Sequence, residues 1–451
     1  MAALIALLLL GGAAPPHPDP PASGHTLEPR TLDRDPDYVI VRGALLGDLL
    51  GRDIRTLRLH ASRAGRLAPI PFQIDERDPQ GRLVCPLGRK PERDVDNGLL
   101  DENDELVFMA SDSGDRIAPA ARPADWIAFE ELEIRDPLNG KKGWCYLVAA
   151  ADPGPLSEIE YIKYYPEEDR YEALYNSSVY MRDGINRADY HVNIYPPEAG
   201  GTGVDITDRL KIRVATRLKA PPVTLRFHED DMEVETLAYI DGPIRIVRRN
   251  QLYLRVPFVT IPFGGAHDVI IYRDTNDTPM EVSVPRGTSW LVQSLQIRLG
   301  TDFSPEAVGM IWYNKYNPEG VLVDGRMSPQ EKRLDLRLDR EDREVYWQVI
   351  TGPQGTMMRR GYYHPDLKDV LETSIEYLDD IGVPDPPEAF PGRIGNAFLS
   401  LNLTSVKSGT YTFHQQWYHP HHFYPFRMEG VQRYMNIINH PLEVRTKHGR
   451  Q

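Results

Sequence analysis

Leu334, Leu336 and Leu338 alternate with Asp335, Arg337 and Asp339 in the segment LDLRLD, and Leu252, Leu254 and Val256 alternate with Tyr253 and Arg255 in LYLRV. Successive side chains of a strand point to opposite faces, so such segments predict half-buried antiparallel strands. The pattern recurs in YVIVRG, IPFQID, ELVFMA, WCYLVAA, LKIRVATRL, VTLRF, IRIVRR, HDVIIYR, MEVSVP, SLQIRLG, YWQVITG and AFLSLNL, with Pro, Gly, Asn and Asp between them. Many short strands with turn residues between them predict a mainly β chain of antiparallel sandwich architecture with few short helices. One segment has helical spacing instead. HPDLKDVLETSIEYLDD sets Leu367, Val370, Leu371, Ile375 and Leu378 on one face behind Asp366 as N-cap, which predicts a helix.

Breaks in the pattern divide the chain. The tract AADPGPLSE at 150–158 predicts a joint between an N-terminal sandwich over 25–150 and a larger one over 158–381. The proline-rich GVPDPPEAFPG at 382–392 predicts an extended run over the surface, after which the closing strands to residue 451 pack on the larger body. The opening MAALIALLLLGGAAPPHPDPPASG has an apolar run from Ala2 to Leu10, then small residues and prolines, so residues 1–24 read as a signal peptide and leader without the usual positive start. A periplasmic or extracellular location follows. Cys85 and Cys145 either pair in that compartment or remain two buried thiols.

Charge narrows the partners. With 66 acidic against 52 basic residues the formal charge is −14, the wrong sign for a phosphate-binding surface, so nucleic acid is excluded as a partner. No apolar run approaches the ~18 to 20 residues of a spanning helix, and no membrane span is expected after signal cleavage. Nucleophile-elbow, phosphate-loop and dinucleotide motifs are absent from the sequence.

Candidate chemistry lies in four places. In DVDNGLLDENDELVFMASDSGD, Asp94, Asp96, Asp101, Asn103 and Asp104 offer the hard oxygen ligands that calcium takes, although the spacing is not that of an EF-hand and the same acids can simply be solvated or paired with arginines. FHQQWYHPHHFYPF offers His419, His421 and His422 as a second, transition-metal possibility. Tyr161, Tyr164, Tyr165 and Tyr171 have rings suited to stacking on sugar faces. Tyr190, His191 and His228 are the candidate acid or base groups of a polysaccharide lyase, with Arg187 nearby to neutralise an enolate.

PIPFQIDERD at 69–78 followed by LLDENDELVFMASDSGD at 99–115 resembles a pattern of exported bacterial β-sandwich proteins, and YIDGPIRIVRRNQLYLRV at 239–256 is similar to a strand of galactose-mutarotase-like supersandwich proteins that act on glycans. The resemblance implies a supersandwich fold and a glycan-related role, and it brings no catalytic residue. Without a strong catalytic signature, a binding or structural role toward a glycan or an extracytoplasmic protein is the expectation. The alternatives are a glycan-active lyase or epimerase and a metal or redox accessory protein.

Overall fold

The computed structural model describes residues 26–173, 193–256, 259–284, 286–338, 345–363, 371–403, 408–420 and 428–450, together with 177–179, 181–182 and 185–186. Among them the chain is mainly antiparallel β, as the alternation predicts. Three larger sheets and a three-stranded one make the body. The first sheet orders its six strands as Gly449–Arg450, Glu443–Thr446, Trp126–Arg135, Lys142–Ala150, Leu57–Arg63 and Arg66–Pro69. The three-stranded sheet Tyr38–Arg42, Glu105–Met109 and Phe72–Asp75 contributes Val39, Val41, Leu106 and Phe108 to the same core as Leu59, Leu132, Ile134 and Leu147 of the first. Cys145 lies in that core and Cys85 in a separate cluster beside Ala238 and Val247, and both are free thiols.

Glu105–Met109 is buried at every residue. Leu106 and Phe108 face the first core, while Val107 and Met109 pack on Tyr272 of a ten-stranded sheet and on Ile244 in the turn before its strand Arg245–Val256. That double burial is why the segment reads as a continuous apolar run and not as an alternating one. The ten-stranded sheet runs from Asn317–Leu322 through Ile311–Asn314, Val345–Gly352, Gly355–Tyr363, Gly409–Tyr418, Thr275–Val284, Val259–Tyr272, Arg245–Val256 and Met232–Asp241 to Leu87–Gly88. A six-stranded sheet lies against it, in the order Thr224–Phe227, Thr207–Leu218, Val292–Phe303, Arg393–Leu403, Leu371–Asp380 and Leu336–Arg337. Two apolar clusters join these sheets.

Three departures from the sequence expectations have physical reasons. Leu371–Asp380 is a strand and not a helix, with Leu371, Thr373, Ile375, Tyr377 and Asp379 buried in strict alternation. Leu371 and Ile375 satisfy both a helical and a period-two spacing, and pairing with Arg393–Leu403 decides between them. The part of the expected helix at 364–370 is outside the described residues. A helix forms instead at Met428–Asn439, where Val431 and Met435 pack on Val349, Met358 and Tyr418. The closing strand Glu443–Thr446 pairs with Trp126–Arg135 of the first sheet, where the sequence pattern placed it on the larger body.

The proline-rich run 382–392 is fastened to the back of the six-stranded sheet. Lys211 Nζ donates to the carbonyls of Asp385 (2.7 Å) and Pro387 (2.5 Å), and the Ala389 N–H donates to Asp208 Oδ1 at 3.1 Å. Leu210, Ile212 and Val214 of the same strand point the other way, into the space between the sheets.

Candidate functional site

The acidic segment divides into two roles. Asp104 and Asn103 serve the backbone: Asp104 Oδ1 accepts the Arg77 N–H (3.0 Å), its Oδ2 accepts the Asp101 N–H (2.9 Å), and Asn103 Nδ2 donates to the carbonyls of Arg77 (3.2 Å) and Asp78 (3.0 Å). Burial pushes the Asp104 carboxyl up to about 7. Asp94, Asp96 and Asp101 do come together, with one carboxylate oxygen of each inside a 4.8 Å span. Burial, and then the neighbouring acids, raise the pKa of Asp94, Asp101 and the adjoining Glu76. Asp94 is 9% exposed; its Oδ1 accepts the Val95 N–H at 2.6 Å, while its buried Oδ2 has no hydrogen-bond partner. Another such trio, Asp48, Glu130 and His448, already has a cation beside it, since Lys447 Nζ pairs with Asp48 and lies 3.8 Å from Glu130.

Glu105 turns away from the acidic trio to a different task. Arg245, in the GPIR segment, donates from Nε to Asp75 Oδ2 (2.7 Å), from one terminal nitrogen to Glu105 Oε2 (2.7 Å) and from the other to the Tyr272 hydroxyl (3.0 Å). Gln73 Oε1 accepts the backbone N–H groups of Ile244 and Arg245, and its amide donates to Asp75. The turn at Gly242 brings its backbone onto the Gln73 side-chain amide, so a Cβ there would strike it. PFQID, DELVFMA and GPIR thus meet in one buried lock between the three-stranded and ten-stranded sheets. Their work there is structural.

The remaining expected site residues are dispersed. Tyr164 and Tyr171 are core residues and offer no face to a sugar: the Tyr164 hydroxyl donates to Asp169 (2.6 Å), and the Tyr171 hydroxyl accepts from Asn276 Nδ2 (2.9 Å). Tyr161 donates to Asp112 (2.9 Å), and the Tyr165 ring lies 3.9 Å under the Arg170 guanidinium. His228 starts a short turn in which its N–H donates to Asp231 Oδ2 at 3.0 Å, a capping role. Buried His419 meets the Tyr195 hydroxyl through Nδ1 (2.8 Å). Tyr190, His191, His421 and His422 lie outside the described residues.

What the sequence pattern missed is a cavity of about 180 Å³ between the six-stranded and ten-stranded sheets. Along Val292–Phe303 its lining passes from Ile297 to Leu299 to Thr301, and along Gly409–Tyr418 from Phe413 to Gln415 to Trp417. Each run carries one polar side chain, Thr301 in the first and Gln415 in the second. Arg359 joins them there, donating from Nε to Gln415 Oε1 (3.0 Å) and from a terminal nitrogen to the Leu299 carbonyl (3.3 Å), with its guanidinium 5.4 Å from the centre of the Trp417 ring. In register, Arg359 stands opposite Trp417, and Trp417 opposite Asn276. Asn193 Oδ1, Asn276 Oδ1, Thr301 Oγ1 and Gln415 Nε2 are buried lining atoms without a hydrogen-bond partner. The signal was present in the strands themselves: Arg359 shares a face with Met357, and Gln415 lies between Phe413 and Trp417 on one face, polar residues at inward positions. Native cores leave few such groups unsatisfied.

No family model and no curated protein matches the chain. Among solved structures, an alpha-mannosidase from Enterococcus faecalis is similar at a TM-score of 0.46 and 8% identity, covering 95% of this chain and 46% of that one. A glycosyl hydrolase family 38 protein from Enterococcus faecalis gives a TM-score of 0.45 at 8% identity, over 95% of this chain and 48% of its own. The chain spans about half the length of these two proteins.

Proposed function

We propose that this is an exported binding protein that takes a small, largely apolar ligand into the space between its two large sheets. The observation that carries the reading is the cavity, lined by side chains such as Val214, Leu252, Phe263 and Phe413 together with polar groups such as Thr301, Arg359 and Gln415. Ligand sites have this composition, and an engineered apolar cavity of about 150 Å³ in another protein takes up benzene. A sugar, with hydroxyls around its rim, fits such a lining poorly. The test is calorimetric titration with 1-octanol, paired with thermal unfolding. Binding with a negative heat-capacity change and a rise in melting temperature is expected, because a ligand of the native state alone stabilises it by RT ln(1 + [L]/Kd). Ile297→Trp, which fills the cavity, is expected to abolish both. No heat at several temperatures and no rise in melting temperature with the unmodified protein rejects the reading.

A second reading concerns Asp94, Asp96 and Asp101, and it is supported by the buried, unpartnered Asp94 Oδ2 among them. Calcium takes six to eight oxygen ligands, and a cation would offset the burial and the neighbouring negative charge that raise Asp94 and Asp101. After chelator treatment, millimolar calcium is expected to raise the melting temperature, and Asp96→Asn is expected to remove that rise while leaving the calcium-free melting temperature equal or higher. An unchanged melting temperature with calcium in the unmodified protein sinks this second reading.

A further inference from the structure

We propose that one end of the large sandwich docks on an anionic phospholipid bilayer, setting apolar side chains from three connections among the headgroups while neighbouring Arg and Lys residues meet the lipid phosphates. Topology brings the three connections together. Thr207–Leu218 turns into Thr224–Phe227, Arg245–Val256 turns into Val259–Tyr272, and Thr275–Val284 passes through the short helix Thr288–Leu291 into Val292–Phe303. Leu218 stands opposite Val292, and the Lys219 N–H donates to the Leu291 carbonyl at 2.8 Å, so the first and third connections touch. Val259–Tyr272 runs antiparallel to Thr275–Val284, paired with it at Ile270 and Asp277, so its first residues lie toward that strand's last. Behind the three, Phe227, Leu254 and Val292 belong to one apolar cluster.

The apolar surface lies at inward positions. Phe227 packs in that cluster, so Leu225, two positions before it, is on the same inner face, and Val259 and Ile261 likewise share a face with Phe263 of the cavity lining. Alternation would bury them, yet Leu225 is 42% exposed, Ile261 43% and Val259 53%. Trp290, beside exposed Leu291 in the short helix, is 87% exposed. Single apolar residues on a surface are ordinary, but a group of them across neighbouring connections marks a contact surface. Tryptophan is the side chain that settles at the level of lipid headgroups.

Charge chooses the occupant. Although the whole chain carries a formal charge of −14, residues 217–226, 254–261 and 284–292 contain Arg217, Lys219, Arg226, Arg255 and Arg286 and no Asp or Glu. All five are exposed. Arg255 keeps Glu233 at 3.3 Å, and Lys219 Nζ donates to the Ser289 carbonyl at 2.5 Å, which holds that ammonium beside Trp290. An apolar tip ringed by basic residues suits a protein that lies on anionic lipid, where each Lys or Arg near the surface adds attraction. A second copy of this end would instead set five cations against five.

Vesicle flotation of the full chain tests the proposal, with phosphatidylcholine alone and with about one third phosphatidylglycerol. Binding to the anionic vesicles is expected to be about tenfold or more tighter than to the neutral ones and to weaken at about 0.5 M salt. Trp290→Ser, and Arg226→Glu combined with Arg286→Glu, are each expected to reduce that binding about tenfold or more, with melting temperatures unchanged because these side chains are exposed. Val95→Ser, at an apolar residue 88% exposed among the acids of 94–105, is expected to leave it unchanged. Absence of binding to the anionic vesicles overturns the proposal, as does equal binding to both kinds. Binding that survives both sets of substitutions places the contact elsewhere, for example at the apolar run from Ala2 to Leu10, and overturns it too. Self-association in sedimentation that Trp290→Ser abolishes, without vesicle binding, overturns it in favour of a second copy.

Discussion

Arg245→Ala is expected to destabilise the protein by about 3–5 kcal/mol, the scale of breaking a buried ion pair from one side. Arg245 is 1% exposed and holds Asp75 and Glu105, which are nearly as deeply buried, at 2.7 Å each. Removing the guanidinium leaves two carboxylates in a place water does not reach, and each must then stay charged without its partner or take up a proton. Burial alone would push the Glu105 carboxyl up, but Arg245 and Arg77 outweigh it and hold it below its ordinary range. That balance reverses in part when Arg245 is gone. The loss compares with a typical total stability of about 5–15 kcal/mol, so urea unfolding of the variant is expected to shift to a much lower midpoint. Replacing all three charges by Met or Leu of similar volume is expected to recover most of the loss, since the cost lies in stranded charge and not in missing attraction. A loss below about 1 kcal/mol for the single variant would place the lock among ordinary surface-strength ion pairs and contradict its burial.

Lys211→Met is expected to cost several-fold more stability at pH 8 than at pH 5. Lys211 is fully buried, 3.4 Å from Asp302 Oδ2 and 3.7 Å from Glu229 Oε1. Burial pushes both carboxyls up to about 7, against the opposing pull of Arg213 and Lys211 on Glu229 and of Lys211 on Asp302. Their folded pKa values exceed the ordinary ones, so the native state binds these protons more tightly than the unfolded chain does. The stability contribution is therefore full below about pH 4 and is lost as pH rises toward and through 7. In the unmodified protein Asp302→Asn is expected to flatten this decline. Without the Lys211 ammonium the two carboxyls hold their protons still more firmly, and at pH 8 their ionisation opposes folding by about 3–5 kcal/mol. The same change removes the donor to the Asp385 and Pro387 carbonyls, so proteolysis within 382–392 is expected to accelerate. A loss that is equal at the two pH values would show that the carboxyls do not titrate against Lys211.

Period-two alternation, turn residues and the scarcity of long apolar runs were enough to specify a mainly antiparallel β chain, because a strand's two faces are written directly into its sequence. The acidic turn was equally visible, and Asp94, Asp96 and Asp101 do gather in space. What the sequence left undecided depends on which strands become neighbours. Leu371–Asp380 has spacing fit for either a helix or a strand until Arg393–Leu403 lies beside it. Gln73, Asp75, Glu105 and Arg245 are up to 172 positions apart and form one lock only because two sheets meet there. Arg359, Gln415 and Thr301 likewise come from separate strands on two facing sheets. A polar side chain at an inward position is legible as an exception to the pattern. The cavity beside such a residue is a property of the space between sheets, and it exists only once the packing is complete.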